Sequence, residues 1–305
     1  MKIEFLIPAS PTPGFFSQVA MFRLALDRLG GAYAKARVVC VFGDKIRNPI
    51  PDRWAHWLER VEIHWVSPSD FIRNGYLAQG YRRFEILDPT ADLSVICDAD
   101  IFPIRSLGGG VEELVSAQKI GGTIAHSHFP WSKRNGSGAE DWEVISRLIL
   151  NRPIETHFNY TLSDTADWGC PFYINFGFLA GPPLLLEEVF GEVKRLREPV
   201  HNLINNYFAA QVAFALAVSA VNAPVQALPM RFNFPNDPRA EAKYPEELEA
   251  VSMMHYLRLN RFDRQNIFSS AEDFQSFLSL DLDGSNKIFQ AAVQEVTGGC
   301  YPFKE

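Results

Sequence analysis

Asp98 and Asp100 stand two residues apart where the apolar run Leu93 to Cys97 gives way to a polar turn. In a strand, residues i and i+2 point to the same side, so both carboxylates can address one ligand as the strand ends. Hard divalent cations want such oxygen donors, and Mg²⁺ or Mn²⁺ held by one or two carboxylates fills its remaining positions with substrate phosphates. The pair therefore predicts a cation that carries a phosphate-bearing substrate. Two acids around an alanine are also what the solvated start of a loop looks like, so the elements around them have to decide.

Those elements alternate. Ile3, Phe5 and Ile7 alternate with Lys2 and Glu4 as a first strand, and Pro8 to Gly14 supplies breakers for a loop at its carboxyl end. Phe16, Val19, Phe22, Leu26 and Leu29 recur at helical spacing and stop at Gly30-Gly31. Val38 to Phe42 is a continuous apolar run, as in a strand covered on both faces. A short helix around Arg53 to Arg60, a strand over Val61 to Val66, and a longer helix with Leu77, Tyr81, Phe84 and Leu87 on one face lead to the strand that ends in Asp98. Such alternation predicts an α/β fold with a mostly parallel central sheet flanked by helices. Ligands of such sheets bind outside the carboxyl ends of the strands, which is where Asp98 and Asp100 come.

Further along, Gly121 to Ala125 reads as a strand, followed by a loop with His126, His128 and Trp131, and by a helix over Trp142 to Leu150. Asn151 to Gly169 has no period, as in a lid on the substrate side. Cys170 to Gly181 reads as a strand in which Gly177, beside Asn175, would let a ligand approach the backbone. Helices over Leu184 to Arg197 and Asn206 to Ala220 follow, the second holding Gln211 in an apolar setting. Val225 to Asn233 reads as an edge strand limited by Pro229, and Val251 to Leu257 as a last strand carrying His255. Ser270 to Glu305 reads as helical and peripheral. The chain is expected to form one domain over 1–305, with a nucleotide-binding half to 105, an acceptor half over 106–260 and a peripheral helical segment over 261–305. Each polar candidate has a plainer alternative: His255 as a packed core residue, Gln211 as a partner of nearby backbone, Arg82 and Arg83 as a solvated helix face.

Composition narrows the classes. The 305 residues are 47% hydrophobic and 21% charged, as in ordinary globular chains. The net charge of −7 and the scattered Lys and Arg argue against a nucleic-acid partner. Cys40, Cys97, Cys170 and Cys300 form no Cys-x-x-Cys pair and read as buried thiols of a reducing compartment. With no signal-like apolar region near Met1 and no transmembrane segment, the expected location is cytoplasmic.

Tyr81-Arg82-Arg83 before the strand, Asp98-Ala99-Asp100 at its end, Asn175-Phe176-Gly177 on a later strand and His255 in Met254-His255-Tyr256 follow one another in a recognisable order. In that order, across Ile3 to Leu257, the chain resembles GT-A glycosyltransferases, specifically the retaining family of glycogenin and bacterial lipopolysaccharide galactosyltransferases. The resemblance implies a Rossmann-like GT-A domain that moves a hexosyl group from a nucleoside-diphosphate sugar, such as a UDP-sugar, to a glycan, lipid-linked or small-molecule acceptor, with retention. It implies a cation, Mn²⁺ or Mg²⁺, on Asp98, Asp100 and His255, and mixed oxygen and imidazole donors favour Mn²⁺. It further implies donor contacts from Ala9, Ser10, Arg83, Asp98, Ala99, Asn175, Gly177 and Arg258, with Gln211 and Asn175 nearest the chemistry. The acceptor would enter beside His126, His128, Trp131 and the Asp164 to Trp168 loop.

The chain departs from that family at three places. Ala210 precedes Gln211 where the family has an Asp that helps hold the donor sugar. The Gly-x-Lys-Pro signature after the late His is missing, leaving Arg258 or Arg261 to meet the diphosphate. Ala9-Ser10 follows the first strand where an Asp is common. A sugar-nucleotide pyrophosphorylase would show a Gly-rich loop after the first strand, and a haloacid-dehalogenase-type phosphatase would carry its Asp-x-Asp on the first strand. Neither matches. A non-catalytic sugar-nucleotide or glycan-binding protein on the same fold is the alternative.

Overall fold

The computed structural model describes residues 1–127, 129, 138–163, 169–259, 261–264 and 267–303. Its strands are β1 (Ile3–Ala9), β2 (Arg37–Phe42), β3 (Glu62–Trp65), β4 (Leu93–Cys97), β5 (Ile101–Pro103), β6 (Ile120–Ile124), β7 (Phe158–Asn159), β8 (Gly169–Cys170), β9 (Ile174–Gly181), β10 (Val225–Ala227), β11 (Phe234–Pro235) and β12 (Met253–His255). Seven of them form the central sheet in the order β10-β6-β9-β4-β1-β2-β3. The pairings are parallel except those of β9, which runs antiparallel to both β4 and β6. Hydrophobic periodicity carries no strand direction, so the reversal of β9 could not be read from its residues. Its consequence is local: pairing of Cys97 with Phe178 sets Asn175 and Gly177 beside the turn after β4.

The period of two along β1 explains the layers. Phe5 and Ile7 face one cluster with the Pro13–Leu29 helix, while Leu6 faces another with the Pro183–Ile204 and Ala209–Ala220 helices. Glu4, which alternation would put in solvent, is 1% exposed. Its carboxylate accepts from Ser94 Oγ at 2.5 Å and from the Asp88 amide at 3.0 Å, and pairs with Arg37 at 2.5 Å, so the buried charge is satisfied.

Several boundaries move for identifiable reasons. Pro13 opens the first helix at its first turn, where a missing N–H costs nothing, so the loop after β1 is only Ser10 to Thr12. Gly75, at φ 57°, separates the Pro68–Asn74 and Leu77–Phe84 helices, and Leu87 lies beyond the second. Val225 to Asn233 keeps its strand only to Ala227; after Pro229 the chain turns through Met230–Phe232 and delivers Asn233 inward.

The C-terminal helices are not peripheral. Phe268, Phe274, Phe277 and Phe289 are buried in the main core, and the Phe289 ring stacks on Tyr256 with centroids 4.2 Å apart. An aromatic-rich amphipathic helix buries its apolar face wherever a partner exists, and here the partner is the strand that carries His255.

Candidate functional site

β4 ends at Cys97, Asp98 to Asp100 make the turn, and the chain re-enters a second sheet as β5. β12 pairs antiparallel with β5, placing His255 opposite Ile101. The long-range pairing thus brings a residue more than 150 positions away onto the Asp-x-Asp turn. Ligand atoms of Asp98, Asp100 and His255 lie within 4.8 Å of one another, with His255 Nε2 3.3 Å from Asp100 Oδ1. Tyr256 secures the turn, its hydroxyl donating to Ala99 O at 3.2 Å and its amide to Asp100 O at 3.1 Å.

His255 is buried, and its other ring nitrogen, Nδ1, lies 2.9 Å from Asn233 Oδ1. A carboxamide oxygen accepts, so Nδ1 carries the proton and Nε2 presents its lone pair to the carboxylates, the arrangement a metal-binding imidazole needs. Burial pushes the imidazole down to about 4, against the opposing pull of Asp98, so the ring is neutral at neutral pH. Asn233 in turn donates to Asn175 Oδ1 at 3.2 Å, and that oxygen also accepts from the Gly177 amide at 2.8 Å. A Cβ on Gly177 would sit 2.5 Å from His255 Nδ1 and 2.6 Å from Asn233 Oδ1. Gly177 is therefore the gap that admits the imidazole and its partner, not an approach path for substrate. Asn175 and Gly177 are absent from the described lining of the cavity below, and Asn175 spends its carboxamide oxygen inside the protein.

Asp98 and Asp100 line a cavity of about 860 Å³ at the carboxyl ends of β1 and β4, while His255 is buried and not among its described lining residues. Ala9 and Ser10 line one end, Asp98, Ala99 and Asp100 its middle, and Arg83 and Gln211 the side toward the Ala209–Ala220 helix. Arg83 is 3% exposed and donates to Cys97 O at 2.8 Å, with Nη1 3.9 Å from Asp98 Oδ1. It is a buried side chain that steadies the end of β4, and the solvated-face alternative does not describe it. Burial lowers its pKa, opposed by Asp98.

This architecture has solved counterparts. An active-site mutant of LgtC aligns over 99% of this chain and 98% of its own, at 13% identity and a TM-score of 0.55. The galactosyltransferase LgtC in complex with donor and acceptor sugar analogs aligns over 84% and 87%, at 14% identity and 0.51. The bifunctional glycosyltransferase WbbM aligns over 95% of this chain and 51% of its own, at 14% identity and 0.55. The chain has the GT-A glycosyltransferase fold. No protein-family model matches the sequence. No curated protein matches it either. At these identities the GT-A likeness concerns the fold alone.

Within this GT-A fold the basic residues fall differently from expectation. Arg258 does not line the cavity: its Nε is 3.2 Å from Asp237 Oδ2, and its amide donates to Asn236 Oδ1 at 2.8 Å. Arg261 donates to Asp281 O at 3.0 Å and lies 3.8 Å from Asp283 Oδ1. Arg264 is the arginine that reaches the site, lining the cavity and pairing directly with Asp100. Sequence reasoning missed it because three arginines follow His255 within nine residues and only the tertiary path separates them. Tyr207 was missed too. It lines the cavity, and the charge of Asp98 is the first cause pushing its hydroxyl up to about 12.

Of the residues the resemblance set beside the acceptor, His126 is 6% exposed, with Nδ1 2.8 Å from Thr161 Oγ1, and does not line the cavity. Burial pushes it down to about 3. His128, Trp131 and Asp164 to Trp168 lie outside the described residues. Cys40, Cys97, Cys170 and Cys300 are free thiols. No helix among the described residues is long and apolar enough to cross a membrane.

Proposed function

We propose that the protein is a metal-dependent, retaining glycosyltransferase that moves a hexosyl group from a UDP-sugar to a glycan, lipid-linked or small-molecule acceptor. The observation that carries this reading is the Asp98, Asp100 and His255 donor set, whose two carboxylates line a cavity at the strand ends of a GT-A fold. Two carboxylates and a neutral imidazole oriented by Asn233 fit a divalent cation, with Mn²⁺ favoured over Mg²⁺ by the nitrogen donor. When bound, that cation would supply charge stabilisation for the departing diphosphate.

The chain's own residues do the rest. Arg264, now paired with Asp100, is placed to meet the second charge of the diphosphate, since a guanidinium binds phosphate oxygens bidentately. Ala9 and Ser10 border the nucleoside end. Gln211 and Tyr207 face the sugar, and Arg83 holds Asp98 in line. Residues on both sides of position 105 contribute to the lining, so the donor bridges the nucleotide-binding and acceptor halves.

Double displacement needs a further carboxylate nucleophile about 5 Å from its partner. The carboxylates among the described lining residues are Asp98 and Asp100, and both belong to the metal set. That supports attack by the acceptor on the face the diphosphate leaves, with the acceptor proton passing to a phosphate oxygen. Inversion would instead need a general base such as His201, which also lines the cavity, and the product's anomeric configuration separates the two.

A UDP-hexose hydrolysis assay with Mn²⁺, followed by NMR of the released sugar, tests this reading. Mn²⁺-dependent release of a sugar with unchanged anomeric configuration is expected. Binding of UDP and Mn²⁺ without hydrolysis or transfer would favour a non-catalytic sugar-nucleotide-binding protein, the reading that Ala210 keeps open, and an inverted product would contradict retention.

A further inference from the structure

Gln211 is 7% exposed and lines the cavity, and neither of its carboxamide atoms is among the fully buried polar atoms, so the amide opens to the cavity. A carboxamide presented by a largely buried side chain in a cavity wall is a recognition group for a ligand. The wall beside it is aromatic. Phe214 lies one helical turn from Gln211, its ring centroid 5.4 Å from that of Phe176 and 6.5 Å from that of Phe84. Phe84 stacks on Phe190 at 4.4 Å, and all four rings line the cavity. Ala210, next to Gln211, adds only a methyl group to that lining.

We propose that the sugar of the donor carries an acetamido group, held between the Gln211 carboxamide and the aromatic wall beside Ala210. This rests on the nucleotide-sugar reading of the same cavity. An acetamido group has one N–H, one C=O and one methyl. The Gln211 carboxamide offers the complementary acceptor and donor. The methyl group requires an apolar surface, which Phe176 and Phe214 provide where Ala210 leaves room. A plain hydroxyl in the same place could still bond to Gln211 but would leave the rings without an apolar partner, so the methyl contact carries the discrimination, of about 10- to 200-fold.

The test is calorimetric titration of the full chain, with Mn²⁺ present, against UDP, UDP-N-acetylglucosamine, UDP-N-acetylgalactosamine, UDP-glucose and UDP-galactose. Each acetamido donor is expected to bind at least about tenfold tighter than its hexose counterpart. Ala210→Asp, checked for folding by its melting temperature, fills the space with a charge and is expected to abolish that preference. UDP binding with no acetamido preference overturns the inference and leaves the nucleotide-sugar reading standing; that is also the result if the aromatic wall serves an apolar part of the acceptor. A preference that survives Ala210→Asp overturns the placement. Failure of every nucleotide to bind refutes the nucleotide-sugar reading itself, and this inference with it.

Discussion

His255 Nδ1 lies 2.9 Å from Asn233 Oδ1, and this one hydrogen bond decides which nitrogen of the ring faces Asp98 and Asp100. Without it the ring could turn or change tautomer and offer an N–H where a lone pair is needed. Asn233→Ala should therefore lower Mn²⁺ affinity by about 10 to 100-fold, the usual effect of removing such a partner. Asn233→Asp keeps an acceptor at Nδ1 and should lose much less. Mn²⁺ titration followed by electron paramagnetic resonance separates the two, and equal losses would make Asn233 merely structural.

Gly177→Ala places a Cβ 2.5 Å from His255 Nδ1, against a ring buried on all sides. Overpacking of this kind costs about 1 to 3 kcal/mol. The variant should show that loss in urea unfolding together with weakened Mn²⁺ binding. A stability loss with Mn²⁺ affinity intact would mean that the ring does not sit where it must to bind the metal.

Arg264 pairs directly with Asp100, one of the carboxylates of the candidate metal set, so it competes for the carboxylate a metal would use. Arg264→Ala should bind Mn²⁺ more tightly when no nucleotide is present. With Mn²⁺ present it should bind UDP more weakly, by about 1.5 to 3 kcal/mol for a charge-assisted hydrogen bond. Calorimetry of both ligands checks the opposite signs. Changes in the same direction would refute the double role.

At the far edge of the sheet, hydrogen bonding to Arg37, aided by His64, holds the Glu62 carboxyl at about 2, below its ordinary value of 4.5. A carboxyl depressed in the folded state stabilises the fold fully above its unfolded value, and that contribution fades as the pH falls through the folded one. The loss should therefore develop from about pH 4.5 down to about pH 2. Glu62 is 45% exposed, so water screens the pair and limits its contribution to about 1 kcal/mol or less. Urea midpoints between pH 7 and pH 2 should fall less steeply for Glu62→Gln than for the parent, and parallel curves would contradict the assignment.

Local residue patterns reached some of this arrangement and stopped short of the rest. Asp98, Asp100, Gln211 and His255 stood out because polar side chains interrupt apolar runs, and the structure brings the first, second and fourth together while placing Gln211 on the cavity wall. Gly177 was legible as a close-approach position, but what approaches it is set by β12 pairing with β5, a contact no local pattern encodes. Asn233 ends a strand-like run, and its inward turn follows from Pro229. The choice of Arg264 over Arg258 depends on Asp237, which pairs with Arg258 from outside the site. The aromatic C-terminal helices looked peripheral only because their partner is set by tertiary packing: Phe289 stacks on Tyr256, well before it in the chain.

The most direct measurement is calorimetric titration of UDP into the parent protein and Asp100→Ala, each with and without Mn²⁺. Mn²⁺-dependent UDP binding is expected in the parent and none in Asp100→Ala, whose melting temperature stays near that of the parent because Asp100 sits in a turn at the cavity wall. Unchanged Mn²⁺-dependent UDP affinity in a folded Asp100→Ala would contradict the metal role of Asp100.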